Sequence, residues 1–137
     1  MPFRRRKSMI DTVKAFVEAV NARDLERLRA LMADDIKLLD TAGDELSGKD
    51  HCFSFFIRLF EVAPDFSLRV ETCSTSGDSV LMRGYSSSSV PRFSDRMQFR
   101  ARVVKGVIHE WQSYSARPAR NIDHLMSAPA EGQRPAA

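Results

Sequence analysis

Asp40 and His109 are the residues in this chain whose type and setting could do chemistry. Asp40 closes a short apolar run, Ile36–Asp40, and a turn follows it, Thr41-Ala42-Gly43-Asp44. A carboxylate at a strand end can take a proton from an acidic C–H when a pocket opens beside it. The same residue can instead cap the following turn, because Asp side chains bond their own backbone a few residues on. His109 lies in the segment Val107–Ser115 and shares parity with Val107, Trp111 and Ser113, while Glu110 and Gln112 take the opposite face. If the first set faces inward, His109 does too, and an unperturbed imidazole with a pKa near ~6.5 suits acid–base work. The structural alternative is a partly buried histidine satisfied by a neighbour.

The remaining candidates are weaker. His51 and His124 stand far from His109 in the chain and from each other, a scatter that does not read as a metal site. Cys52 and Cys73 are too few for a disulfide framework or a zinc site and read as small apolar core residues. His51 neighbours Cys52, but successive residues on a helix do not face each other. No phosphate loop, dinucleotide fingerprint or serine-nucleophile elbow is present, so no cofactor is expected.

These residues need a scaffold, and 137 residues make one domain. With 43% hydrophobic and 28% charged residues the composition is that of a globular chain rather than a disordered one. The net charge of +3 is unevenly placed: residues 1–8 carry four positive charges, residues 116–137 carry +1, and the span 9–115 carries −2. A nucleic-acid binder wants its basic face on the fold itself, so no nucleic-acid partner is expected. No apolar run approaches the ~18–20 residues of a membrane helix. The basic start Phe3-Arg4-Arg5-Arg6-Lys7 imitates a signal peptide, but Asp11 and Lys14 interrupt the apolar stretch that should follow. We therefore expect a cytoplasmic protein with no membrane partner.

Residues 1–8 read as a flexible basic arm, 9–115 as the domain, and 116–137 as a mostly loose tail in which Ile122, Leu125 and Met126 can form one docking turn. Ile10, Val13, Phe16, Val17 and Val20 form a helical stripe. Asp24 caps a second short helix, with Leu25, Leu28, Leu31 and Met32 facing inward. A third helix, over 49–62 and rich in Phe, ends before Pro64. Four alternating strands then follow, with turns at Gly77-Asp78 and Lys105-Gly106. Helices first and antiparallel strands after give an α+β fold, with three N-terminal helices on one face of a curved sheet.

Three segments in this order, FVEAVNARDLERLRALMADDIKLLD (16–40), SGKDHCFSFFIRLFEVAPDF (47–66) and KGVIHEWQSY (105–114), resemble the nuclear-transport-factor-2-like superfamily, in particular its SnoaL-like and ketosteroid-isomerase-like domains. The resemblance implies a cone whose bent, mostly antiparallel sheet encloses a pocket. It does not fix an activity, because this fold hosts isomerases, cyclases, epoxide hydrolases, dehydratases and non-catalytic domains. Similarity to the ketosteroid isomerases would put the base at Asp40. Their oxyanion tyrosine and aspartic acid would fall at Phe16 and near Phe99, which have no donor to offer. The SnoaL-like cyclases carry an acid/base aspartate a few residues beyond the tryptophan, where this chain has Gln112, Ser113, Tyr114 and Ser115. The hydrolases need an Asp-Arg-Asp relay, of which Asp40 and Arg83 supply only parts, and Met82 rather than Arg83 shares the apolar parity.

Two expectations of different class follow. One is a cofactor-independent isomerase, cyclase or hydrolase with Asp40 as general base and His109 across the pocket as its partner. The other is a non-catalytic ligand-binding or dimerisation domain. In either, Phe16, Phe56, Met82, Met97, Phe99 and Trp111 line a pocket for a small, mostly apolar molecule. Arg100, Arg102, Glu110 and Gln112 on the open sheet face suit a polar homodimer contact.

Overall fold

The computed structural model describes residues 2–116 and 120–127. Helix α1 spans Pro2–Ala22 and buries Met9, Val13, Phe16, Val17, Ala19 and Val20 on one face. Helix α2 spans Leu25–Ala30, and the Asp24 carboxylate accepts from the Arg27 backbone N–H at 3.2 Å, as an N-cap does. Of the four apolar residues expected to face inward here, Leu28 and Met32 are fully buried, Leu31 half-buried and Leu25 exposed. Helix α3 spans Lys49–Val62 and buries Cys52, Phe56 and Leu59.

Six strands form one sheet: β1 (Met32–Leu39), β2 (Glu45–Ser47), β3 (Ser67–Ser76), β4 (Ser79–Ser87), β5 (Asp95–Val104) and β6 (Val107–Ser115). Their order is β2-β1-β6-β5-β4-β3, with β1 and β6 parallel and every other pair antiparallel. The helices lie on one face, α1 against β3 to β6 and α3 against β1 and β2. Register shifts in β1, in β3 and between β5 and β6 disrupt the ladder, and such bulges bend strands. At the β3 edge, Asn21 donates to the Leu68 carbonyl and accepts from the Leu68 N–H, both at 2.8 Å. The residue that ends the helical stripe of α1 thus satisfies an otherwise open strand edge.

The structure departs from the sequence reading at three places. Residues 3–8, expected as a flexible arm, are the first turns of α1. Arg and Lys are good helix formers and no glycine separates them from the stripe. Strand β1 begins at Met32 rather than Ile36, and a short strand β2, not expected from the sequence, follows the turn over 41–44. A fourth helix, α4 (Asn121–Ser127), stands where one docking turn was expected, and it buries Ile122 and Leu125. The rest of the expected tail lies largely outside the described residues. Among the described residues no helix is long and apolar enough to cross a membrane.

Candidate functional site

A cavity opens between α3, α4 and the inner face of the sheet. Its walls are largely apolar: Leu38 and Leu39 from β1, Phe55, Phe56 and Leu59 from α3, and Met97, Phe99 and Trp111 from the sheet. Phe66, Leu68, Phe93 and Ile122 complete them. The polar lining is Asp40, Ser86, Arg92, Asp95, Ser113, Ser115 and Asn121. About 80 Å³ is open to the centre of a water-sized sphere. One water needs roughly 10–15 Å³ on that measure, so the space takes a small molecule of a few heavy atoms.

Asp40 is 6% exposed and sits just past the end of β1. Its Oδ1 accepts from the Asp44 backbone N–H at 3.0 Å, so it caps the turn into β2. Its Oδ2 accepts from the Ile122 N–H at 3.3 Å, so it also caps the start of α4 from across the fold. Each carboxylate oxygen retains acceptor capacity beside the cavity. Thr41 next to it donates to the Ser113 carbonyl at 3.3 Å and accepts from the Ser115 N–H at 2.7 Å, tying the turn to β6.

The elements around Asp40 are held by further side-chain contacts. Arg120 reaches Asp44 through two bonds, Nε to Oδ2 at 2.9 Å and a second guanidinium N–H to Oδ1 at 3.0 Å. That bidentate contact holds the Asp44 carboxyl below its ordinary range and the Arg120 guanidinium above its own. Arg58 donates to the Leu125 carbonyl and Arg92 donates to Asn121 Oδ1 at 3.3 Å. Together these contacts seat α4 over the cavity.

The sequence-predicted residues divide into three groups. Asp40, Phe56, Met97, Phe99 and Trp111 meet at the cavity. Phe16 and Met82 are buried outside its lining. The Phe16 ring packs on Trp111 at 4.8 Å and edge-on to Phe56 at 5.7 Å, so it supports the wall from behind. His109 is elsewhere. Arg102 pairs with Glu110 and Val103 with Ile108, which leaves His109 as the extra residue of a bulge. The bulge breaks the period of two, and buried Ile108 and Trp111 stand three residues apart. His109 Nδ1–H donates instead to Asp35 Oδ1 at 3.2 Å, and His109 is not in the cavity lining. The expected pairing of Asp40 with His109 across the pocket is therefore not formed.

Ser113, Ser115, Asp95, Arg92 and Asn121 were not singled out as site residues in the sequence. Ser113 and Ser115 share parity with Trp111, and that signal was available. Asn121 and Arg92 arrive through the docking of α4 and the 3-10 turn Pro91–Phe93, and no local pattern announces that docking.

The profile of the SnoaL-like domain family matches residues 13–111, most of the chain. Comparison with curated proteins returned no match. Among solved structures, the chain is similar to a limonene-epoxide-hydrolase-like epoxide hydrolase of M. tuberculosis, with 19% identity over 80% of this chain and 79% of that one and a TM-score of 0.71. It is also similar to a protein of unknown function with a cystatin-like fold from Xanthomonas campestris, at 18% identity over 85% and 97% of the two chains and a TM-score of 0.74. A protein assigned as a polyketide cyclase in Sinorhizobium meliloti matches at 18% identity, over 75% and 93%, with a TM-score of 0.69. At these identities the likeness is one of fold.

Proposed function

The chain belongs to the SnoaL-like domain family, and on that premise we propose that it binds a small, mostly apolar molecule and uses Asp40 as general base in a cofactor-independent isomerisation, cyclisation or hydrolysis. One observation carries the reading: Asp40 is a buried carboxylate on the wall of a cavity that is otherwise mainly aromatic and aliphatic. Such a setting puts a buried proton acceptor against a mainly apolar surface. Ser113 and Asn121 on the same lining supply a hydroxyl and an amide that could face a developing negative charge. Epoxide-hydrolase and cyclase descriptions among the structural neighbours suit the same class of chemistry.

A second reading keeps the ligand and removes the reaction. It is favoured by the apolar Phe16 and Phe99, buried where the isomerases carry oxyanion donors. The deciding experiment is a turnover screen of enolisable ketones, epoxides and cyclisable polyketide-like acids with the wild type and Asp40→Asn. General-base catalysis predicts a loss of about 10²–10⁴-fold in the variant. Equal turnover in both proteins would overturn the role of Asp40. Ligand binding without turnover would establish the second reading.

The reading includes a cytoplasmic protein that pairs with a second copy through the outer sheet face. There the expected Arg100, Arg102, Glu110 and Gln112 lie opposite in register to one another, on the alternate parity from buried Ala101 and Trp111.

A further inference from the structure

We propose that the cavity selects a small aliphatic ammonium, held by Asp40 against aromatic walls; this rests on reading the cavity as a small-molecule site. Asp40 is a buried carboxylate with no ion pair among the described residues. Its two bonds, from the Asp44 and Ile122 backbone N–H groups, use about half of the lone-pair positions a carboxylate offers. Arg120 gives both of its bonds to Asp44 and acts on Asp40 only through space, as the weakest of the influences on its own guanidinium, so Asp40 has no direct cationic partner among the described residues. The charged residues of the lining, Asp40, Arg92 and Asp95, sum to one net negative charge.

The walls complement that charge. Phe55, Phe56, Phe66, Phe93, Phe99 and Trp111 all contribute to the lining. Aromatic faces attract a cation within ~6 Å through their quadrupole, while a neutral apolar guest gains no such attraction and leaves the carboxylate unpaired. An ammonium N–H can donate to Asp40 as its alkyl groups meet the rings. The limited volume confines the guest to a few heavy atoms.

Trp111 is the only tryptophan and lines the cavity, so its fluorescence reports occupancy directly. Isobutylammonium and isobutanol share a carbon skeleton and differ at the group that would meet Asp40. We would titrate the full-length protein with each at equal pH and ionic strength, following Trp111 emission. The ammonium should saturate at a concentration at least about tenfold lower than the alcohol, as a charge-assisted bond requires. Asp40→Asn should remove that preference; should the variant not fold, the wild-type comparison decides alone. Equal binding of the two, or tighter binding of the alcohol, overturns the ammonium while leaving a small-molecule site intact. No change in Trp111 with either probe overturns the site as well.

Discussion

At the scale of single residues, the cavity is a case of one polar group serving two demands. Asp40 caps the turn into β2 and the start of α4, and it is also the buried carboxylate of the cavity. Structural and chemical roles are compatible because a carboxylate has acceptor positions to spare. Cys52 shows the opposite outcome, a potential nucleophile made inert. It is fully buried, its Sγ lies 3.4 Å from the Leu46 carbonyl and 3.6 Å from that of Ile36, and burial pushes its thiol up to about 11. Thiolate is the reactive form, so raising the pKa and closing access both suppress alkylation. Cys73 is also raised by burial, with Lys14 acting against it, but it is only half-buried. A thiol-specific reagent at neutral pH should therefore titrate Cys73 in the native protein and reach Cys52 only in denaturant. Equal native rates at the two thiols would show that the core around Ile36 opens readily.

At the scale of elements, what was legible depended on whether a period ran unbroken. Phe56, Met97, Phe99 and Trp111 share one cavity wall because α3, β5 and the end of β6 keep regular periods against one core. His109 was misplaced because one inserted residue turned it towards Asp35, and no turn residue marks that insertion in the sequence. The seat of α4 was only faintly legible. Ile122 and Leu125 signalled a buried turn, but the bonds that hold it come from Arg120, Arg58 and Asp40, distant in sequence or lacking a local pattern. The bend between β3 and β4 has a local cause. The ladder shifts between Val70 and Thr72, and Gly84 faces Val70 there. A Cβ on Gly84 would fall well inside contact distance of the Arg69 carbonyl, a backbone atom that cannot step aside. Gly84→Ala should therefore cost about 1–3 kcal/mol or more, seen as a lower urea midpoint. An unchanged midpoint would mean that the two strands can part there without loss.

At the scale of the whole molecule, the two faces of the sheet have different tasks. The inner face builds the core and the cavity. The outer face carries ion pairs, among them Arg100 with Glu110 at 3.2 Å and Arg102 with Asp78 at 3.0 Å. Among them stand Leu81 and Tyr114, 40% and 42% exposed, which line one shallow groove with Arg83, Gln98 and Arg100. An apolar centre within a charged rim is the composition of a protein–protein contact. Such a contact works through its centre, because exposed ion pairs contribute little by themselves. Sedimentation velocity should find the wild type dimeric. Leu81→Asp combined with Tyr114→Ala should weaken association by at least about tenfold, equivalent to ~1.4 kcal/mol. Neutralising the rim with Arg102→Gln should alter mainly its salt dependence. Both variants change side chains on the outer face, away from the cavity, so Trp111 should report the same ligand affinity in monomer and dimer. A wild type that sediments as a monomer throughout would remove the sheet-face dimer, and it would leave the cavity around Asp40 as the molecule's one proposed point of contact.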